Sequence, residues 1–272
     1  MKRIALILTA TLLSALFQLR AQCNETERDC IREDEPRPVT SIYSIEAGAA
    51  RTLSTYLSPL YYTGMDYAVS GSWTKTFNHW PDRCVMRFEA AVDFQNLLNP
   101  AQTAAMYGLT GRFNWGLAWR HRFGAGWQIT AGPMIDIYGG ALYQTRNGNN
   151  PVSAIASAGL DIHASVSRRF RIGRLPVEIA DEVRIPSVSA FFCPEYGESY
   201  YEIYLGNRRG LAHCGWWGNA FGIDNLISFR MNFGRTGMTV GYRFDMRVFK
   251  ANSLETQIMR NAIVIGVIPH GF

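Results

Sequence analysis

Residues 238 to 248 alternate without a break. Met238, Val240, Tyr242, Phe244, Met246 and Val248 share one parity, and Thr239, Gly241, Arg243, Asp245 and Arg247 share the other. Period two marks a strand with two unlike faces. The pattern recurs along the chain. In 84–94, Phe88, Val92 and Phe94 oppose Arg87, Glu89 and Asp93; in 104–123, Phe113, Trp115, Leu117 and Trp119 oppose Arg112, Asn114 and Arg120. In 127–143, Ile135 and Ile137 flank Asp136. In 154–169, Leu160, Ile162 and Val166 oppose Asp161, His163 and Ser165. In 177–185, Ile179, Val183 and Ile185 oppose Glu178, Glu182 and Arg184, with Asp181 as an exception on the apolar side. In 226–233, Ile227, Phe229 and Met231 oppose Ser228 and Arg230. Segments 41–48, 61–77 and 258–267 complete the series, and 200–205 with 211–217 reads as a hairpin.

One face of these strands is too aromatic for water and the other too charged for a dry core. An all-β, closed antiparallel barrel in a bilayer satisfies both, with apolar side chains outward, ionic ones inward and no free edge. The segments give about twelve strands; without the 200–217 split the count falls to ten or eleven. Short connections at 78–82, 124–126, 171–174, 206–210 and 234–237 alternate with larger ones at 49–60, 95–103, 144–152 and 186–199. That parity predicts short periplasmic turns, longer external loops, and both termini in the periplasm. Trp115, Trp119, Trp127, Trp216, Trp217, Tyr62, Tyr138, Tyr143, Tyr201 and Tyr204 fall toward strand ends, where amphipathic rings favour the headgroup level.

The start of the chain agrees with export to the bacterial outer membrane. Lys2 and Arg3 precede an apolar run from Ile4 to Phe17, and Ala21 supplies a small residue at a cleavage site. Residues 1–21 thus read as a signal peptide, too short in its apolar part for a spanning helix of about 20 residues. Residues 22–38 are an acid-rich polar leader, and 39–272 the barrel. The formal charge is +5; three of those charges, on Lys2, Arg3 and Arg20, leave with the signal, so +2 remains and gives no case for nucleic acid. Mean hydropathy is −0.07, as expected when half of each strand faces inward. Cys23 is a candidate to pair with Cys30 or to be acylated, and Cys193 and Cys214 are candidates for a second disulfide, with Cys84 left over.

The inward charges are the candidate site: Arg87, Glu89, Asp93, Arg112, Arg120, Asp136, Asp161, His163, Glu178, Glu182, Arg184, Arg230, Arg243, Asp245 and Arg247. Enclosed charges of both signs must pair. They either plug and stiffen the barrel or line a narrow, porin-like channel. A lipid-modifying enzyme of deacylase or phospholipase type is the alternative. His163, Ser165 and Asp161 share a face, but residues two apart lie roughly 7 Å apart along a strand, too far for a direct hydrogen bond. No spacing marks a catalytic nucleophile, metal ligand set or cofactor loop, so no catalytic residue and no cofactor are expected.

The segments Thr55-Tyr-Leu-Ser-Pro-Leu-Tyr-Tyr-Thr-Gly64 and Arg146-Asn-Gly-Asn-Asn-Pro151 resemble an uncharacterised family of outer-membrane β-barrels of Bacteroidetes-type bacteria. The resemblance implies the fold and compartment and carries no activity. The expected partners are outer-membrane lipids and the barrel-insertion machinery, which reads a terminal aromatic such as Phe272, here with Val264 and Ile268 at alternate positions before it.

Overall fold

The computed structural model describes residues 39–76, 83–206 and 210–269. The signal peptide, the leader with Cys23 and Cys30, and Phe272 lie outside them. Eleven strands form: β1 (Val39–Ser54), β2 (Ser58–Thr76), β3 (Cys84–Leu98), β4 (Ala105–Phe123), β5 (Trp127–Gln144), β6 (Val152–Ile172), β7 (Leu175–Phe192), β8 (Ala212–Gly215), β9 (Ala220–Asn232), β10 (Gly237–Ala251) and β11 (Leu254–Ile268). Ten of them close into an antiparallel ring, in which β1 pairs with β11, β6 with β7 and β7 with β9. The short β8 lies outside the ring order and extends the edge of β7 beyond β9, with Ala190 opposite Cys214.

The count of about twelve is thereby corrected to ten plus one. Segment 200–205 is not a strand: Tyr200–Tyr204 is a helix, α1, and 211–217 contributes only β8. Ser199 caps α1, its Oγ accepting from the Glu202 N–H while the Glu202 carboxylate accepts from Ser199 N–H at 2.7 Å. This reciprocal Ser-x-x-Glu cap satisfies two orphan N–H groups and outweighs the strand-like alternation of Tyr200, Tyr201 and Ile203.

Side-chain parity follows the alternation. Ile45, Val69, Val92, Leu109, Phe113, Ile137, Ile162, Ile179, Tyr242 and Ile265 are exposed on the outer wall, while Glu46, Asp93, Arg112, Asp136, Asp161, Arg184 and Arg243 on the other parity are buried. The strands run to as many as 21 residues, against about 9–11 needed to cross a bilayer. At the loop end the Arg51 guanidinium lies 3.8 Å over the Tyr61 ring, and the Tyr61 hydroxyl donates to Gln257 at 2.9 Å.

Three further expectations change. Tyr62 and Tyr138 are buried inside the barrel and belong to no interfacial girdle. Val264 and Ile268 also face inward and are buried, so the lipid-facing series of β11 is Ile263, Ile265 and Val267. The loop-side connections are not uniformly long. β1 passes to β2 through Thr55–Leu57 alone, and β10 to β11 through Asn252 and Ser253, both at positive φ as a two-residue hairpin turn requires. The β3–β4 and β5–β6 connections, 99–104 and 145–151, are longer, and the β7-to-β9 connection is the most extended and carries α1 and β8.

Candidate functional site: the lumen

The interior has three levels. Nearest the loops lies an apolar core of Leu57, Tyr62, Leu97, Met106, Leu142, Ile155 and Ile258. Polar groups bond within it: Gln144 Nε2 donates to the Tyr62 hydroxyl at 2.6 Å, and Thr52 Oγ1 to Gln95 Oε1 at 2.9 Å. The loops cover it. The Tyr56 hydroxyl donates to the Glu198 carbonyl at 2.8 Å, Tyr56 and Tyr200 meet edge to face, and the Tyr200 hydroxyl accepts from Ala154 N–H. Burial, with Tyr200 and Glu198 adding to it, pushes the Tyr56 phenol up to about 12.

The middle level is ionic and reaches from wall to wall. Arg112 of β4 meets Asp245 of β10 at 2.9 Å and Asp224 of β9 at 3.1 Å. Arg184 of β7 reaches Glu89 of β3 at 3.1 Å and also pairs with Asp224. Arg243 of β10 contacts Glu89 at 2.9 Å and Asp224 at 3.1 Å. Arg247 holds Asp136 of β5 at 2.7 Å and lies 4.3 Å over the Tyr138 ring, which joins this level to the apolar core. Arg260 of β11 gathers Glu46, Asp66, Asp93 and Asp245. Each guanidinium presents a rigid fork of donors, so one arginine can satisfy carboxylates on several strands.

Toward the tight-turn end the lumen opens into a polar vestibule. Arg230 bridges Glu178 and Glu182, each at 2.8 Å, and Arg87 reaches Glu182 at 2.6 Å. Of the residues expected from the alternation, all fifteen lie on the inward parity, in the ionic level or the vestibule. Asp161 is buried in the ionic level without joining the arginine pairs above. His163 is 1% exposed, and neither ring nitrogen has a hydrogen-bond partner. The Ser165 hydroxyl pairs with Thr130, so His163, Ser165 and Asp161 form no hydrogen-bonded relay. Among the described residues no cluster of three or more His, Cys, Asp or Glu side chains is arranged to hold a metal.

Glu46, Asp66, Asp224 and Arg260 were not among the expected charges, yet they tie the network together. Glu46 and Asp66 were marked by the same parity rule, since each sits between outward residues of its strand. Asp224 was hidden because Gly222 and the Asp224-Asn225 pair resemble turn chemistry.

Cys193 and Cys214 do not form the expected disulfide; both thiols are free, as is Cys84. The β7–β8 register places Cys214 opposite Ala190, three residues short of Cys193. Burial pushes the Cys193 thiol up to about 11, which keeps it protonated and unreactive near neutral pH. Exposed Cys214 is therefore expected to be alkylated by iodoacetamide well before Cys193, as read by peptide mass spectrometry of unreduced protein. A Cys193–Cys214 crosslinked peptide in that digest would refute the assignment.

Ring closure, lipid-facing apolar walls and an ionic interior define a β-barrel of the outer-membrane type. The chain belongs to a family of proteins of unknown function, DUF3316, whose family model matches residues 4–271. Its fold is similar to that of the transport unit of the autotransporter AIDA-I from Escherichia coli, with a TM-score of 0.50 at 7% identity over 89% of this chain and 94% of that one. The β domain of the Bordetella autotransporter BrkA gives a TM-score of 0.43 at 10% identity, covering 86% of this chain and 100% of that one. The outer-membrane protease OmpT from Escherichia coli gives 0.42 at 7%, covering 87% and 97%. No curated protein matches the chain. At these identities the likeness concerns the fold alone.

Proposed function

We propose that this protein is a sealed structural or binding barrel of the bacterial outer membrane, with its tight turns and both termini in the periplasm and its loop end outside. The carrying observation is the wall-to-wall bridging by Arg112, Arg184 and Arg243, which fills the cross-section where a channel would need water. The apolar core above it forms a second barrier in series. An ion crossing the first barrier would have to break arginine–carboxylate pairs in a poorly hydrated interior, and crossing the second would strip its hydration. What remains for interaction outside is the loop end, where the β7–β9 connection exposes Tyr196, Tyr201, Tyr204 and Trp216. Insertion through a terminal signal at Phe272 belongs to the same reading.

Folded protein in planar bilayers is expected to give no conductance steps. Reproducible ion-selective steps from folded wild-type protein would sink the sealed-barrel reading and restore the narrow channel.

A further inference from the structure

We propose that Arg168, on the outer wall at the tight-turn end, anchors the phosphate of an anionic phospholipid in the adjoining leaflet. The inference rests on the reading of this chain as a membrane barrel and names the lipid its wall selects. Among the described residues, Arg168 is the one Asp, Glu, Lys or Arg on the outward parity of β3, β4, β5 and β6. Its cross-strand neighbours on that face are apolar, Trp127 of β5 and Ile179 of β7. A charge on a lipid face is costly at the middle of the bilayer and tolerated near an interface. This row of side chains stands at such a level: Phe123 ends β4, Trp127 begins β5, and the two pair across the tight turn with their rings stacked 6.3 Å apart.

The protein does not neutralise this guanidinium. It lies 5.5 Å over the Trp127 ring, and its Nε is buried without a hydrogen-bond partner. Glu178 is held by Arg169 on the inner face, and Asp181, opposite Val166 on the outer face, accepts from Asn225 Nδ2 at 2.6 Å. Among the described residues no carboxylate pairs with Arg168. Arg171 and Arg174 of the same β6–β7 hairpin are exposed and also take part in no ion pair among the described residues. Three cations on one hairpin without acidic partners favour a headgroup of net negative charge over a zwitterionic one. A guanidinium stacked on an indole keeps its edge donors free, and those donors match the paired oxygens of a phosphodiester. Space for the headgroup lies beside the turn, where a Cβ at Gly124 would meet nothing within 4 Å. The apolar surface of Phe123, Trp127 and Ile179 continues into the lipid-facing wall and receives the acyl chains. That continuity points to a lipid and away from free phosphate.

The test uses the full chain refolded into vesicles of phosphatidylcholine mixed with phosphatidylglycerol. One lipid or the other carries bromine on its acyl chains, and quenching of tryptophan fluorescence gives their relative binding constant. Wild type is expected to favour phosphatidylglycerol by about fivefold, the weight of one interfacial arginine. Arg168→Gln should bring the two lipids to parity, while Arg235→Gln, at an exposed arginine of the β9–β10 turn, should keep most of the preference. In wild type, raising salt from about 0.01 M to about 1 M should erase it, and inorganic phosphate should compete no better than chloride at matched ionic strength. These wild-type measurements decide the matter should Arg168→Gln fail to fold. Equal quenching by both lipids in wild type, a preference unaffected by salt, or one unchanged in folded Arg168→Gln overturns the proposal. So does an equal loss in Arg235→Gln, or competition by phosphate beyond that of chloride, which would mark a free-anion site. Flotation with the vesicles and mobility on unheated gels report insertion of the barrel, so a failure of the membrane reading is distinct from a failure of this site.

Discussion

Arg260→Met is expected to destabilise the barrel by about 3–5 kcal/mol, the range for removing one partner of a buried ion pair. Arg260 is 2% exposed. Its Nε lies 2.8 Å from Asp66 and its Nη2 3.1 Å from Glu46, while Nη1 pairs with Asp93 and approaches Asp245 at 3.5 Å. Methionine fills much of the same space, so the effect reports the lost charge rather than a cavity. It leaves carboxylates from four strands facing one another in a site nearly closed to water. The urea midpoint, followed by tryptophan fluorescence in detergent, measures the loss. Lys250→Met is the contrast: Lys250 pairs with Glu255 at 2.9 Å at the exposed loop end, and such a pair contributes about 0–1 kcal/mol. Adding Asp66→Asn and Asp93→Asn to Arg260→Met should recover a large part of the stability by rebalancing charge. Equal midpoint shifts for Arg260→Met and Lys250→Met would mean that the arginine does not hold those carboxylates together.

The outer wall was legible in the sequence because lipid contact is decided one strand at a time. Phe113, Trp119, Ile137 and Tyr242 need only period-two parity to be placed outward. The interior was legible only as a set of charges. Which arginine meets which carboxylate depends on ring closure: Arg112 and Asp245 stand on β4 and β10, and no local pattern relates them. The apolar core at the loop end was hidden for a different reason. Leu97 beside Leu98, Met106 beside Tyr107 and Leu142 beside Tyr143 make both faces apolar, so alternation fades there and inward leucines look like more lipid contact. The 200–217 region shows a competition between two local rules. Aromatic and β-branched residues in alternation favour a strand, while Ser199 and Glu202, three apart, form a helix start; the cap prevails. Removing that hairpin restores an even ring, as expected for a single-chain bacterial barrel.

The seam between β1 and β11 joins the two ends of the barrel, and Gly48→Ala should weaken it by about 3 kcal/mol, the upper part of the range for overpacking. Gly48 pairs with Ala262 across the seam and with Asp66 on its other side. A Cβ at Gly48 would sit 1.9 Å from the Asn261 carbonyl oxygen and 2.6 Å from the Ala262 Cα. Both are backbone atoms, so no rotamer change can relieve the clash and the strand itself must move. Movement there also disturbs the ion pairs beside it, because Glu46, Asp66 and Arg260 stand within two residues of the contact along their strands. Gly148→Ala supplies the comparison: that glycine lies in the β5–β6 connection with nothing within 4 Å of an added methyl, and its change should stay within about 0.5 kcal/mol. Two readouts decide the matter: the urea midpoint, and the fraction of protein that migrates as the folded form on unheated gels. If Gly48→Ala matches wild type in both, the close approach of β1 to β11 is wrong, and with it the closure of the ring at that seam.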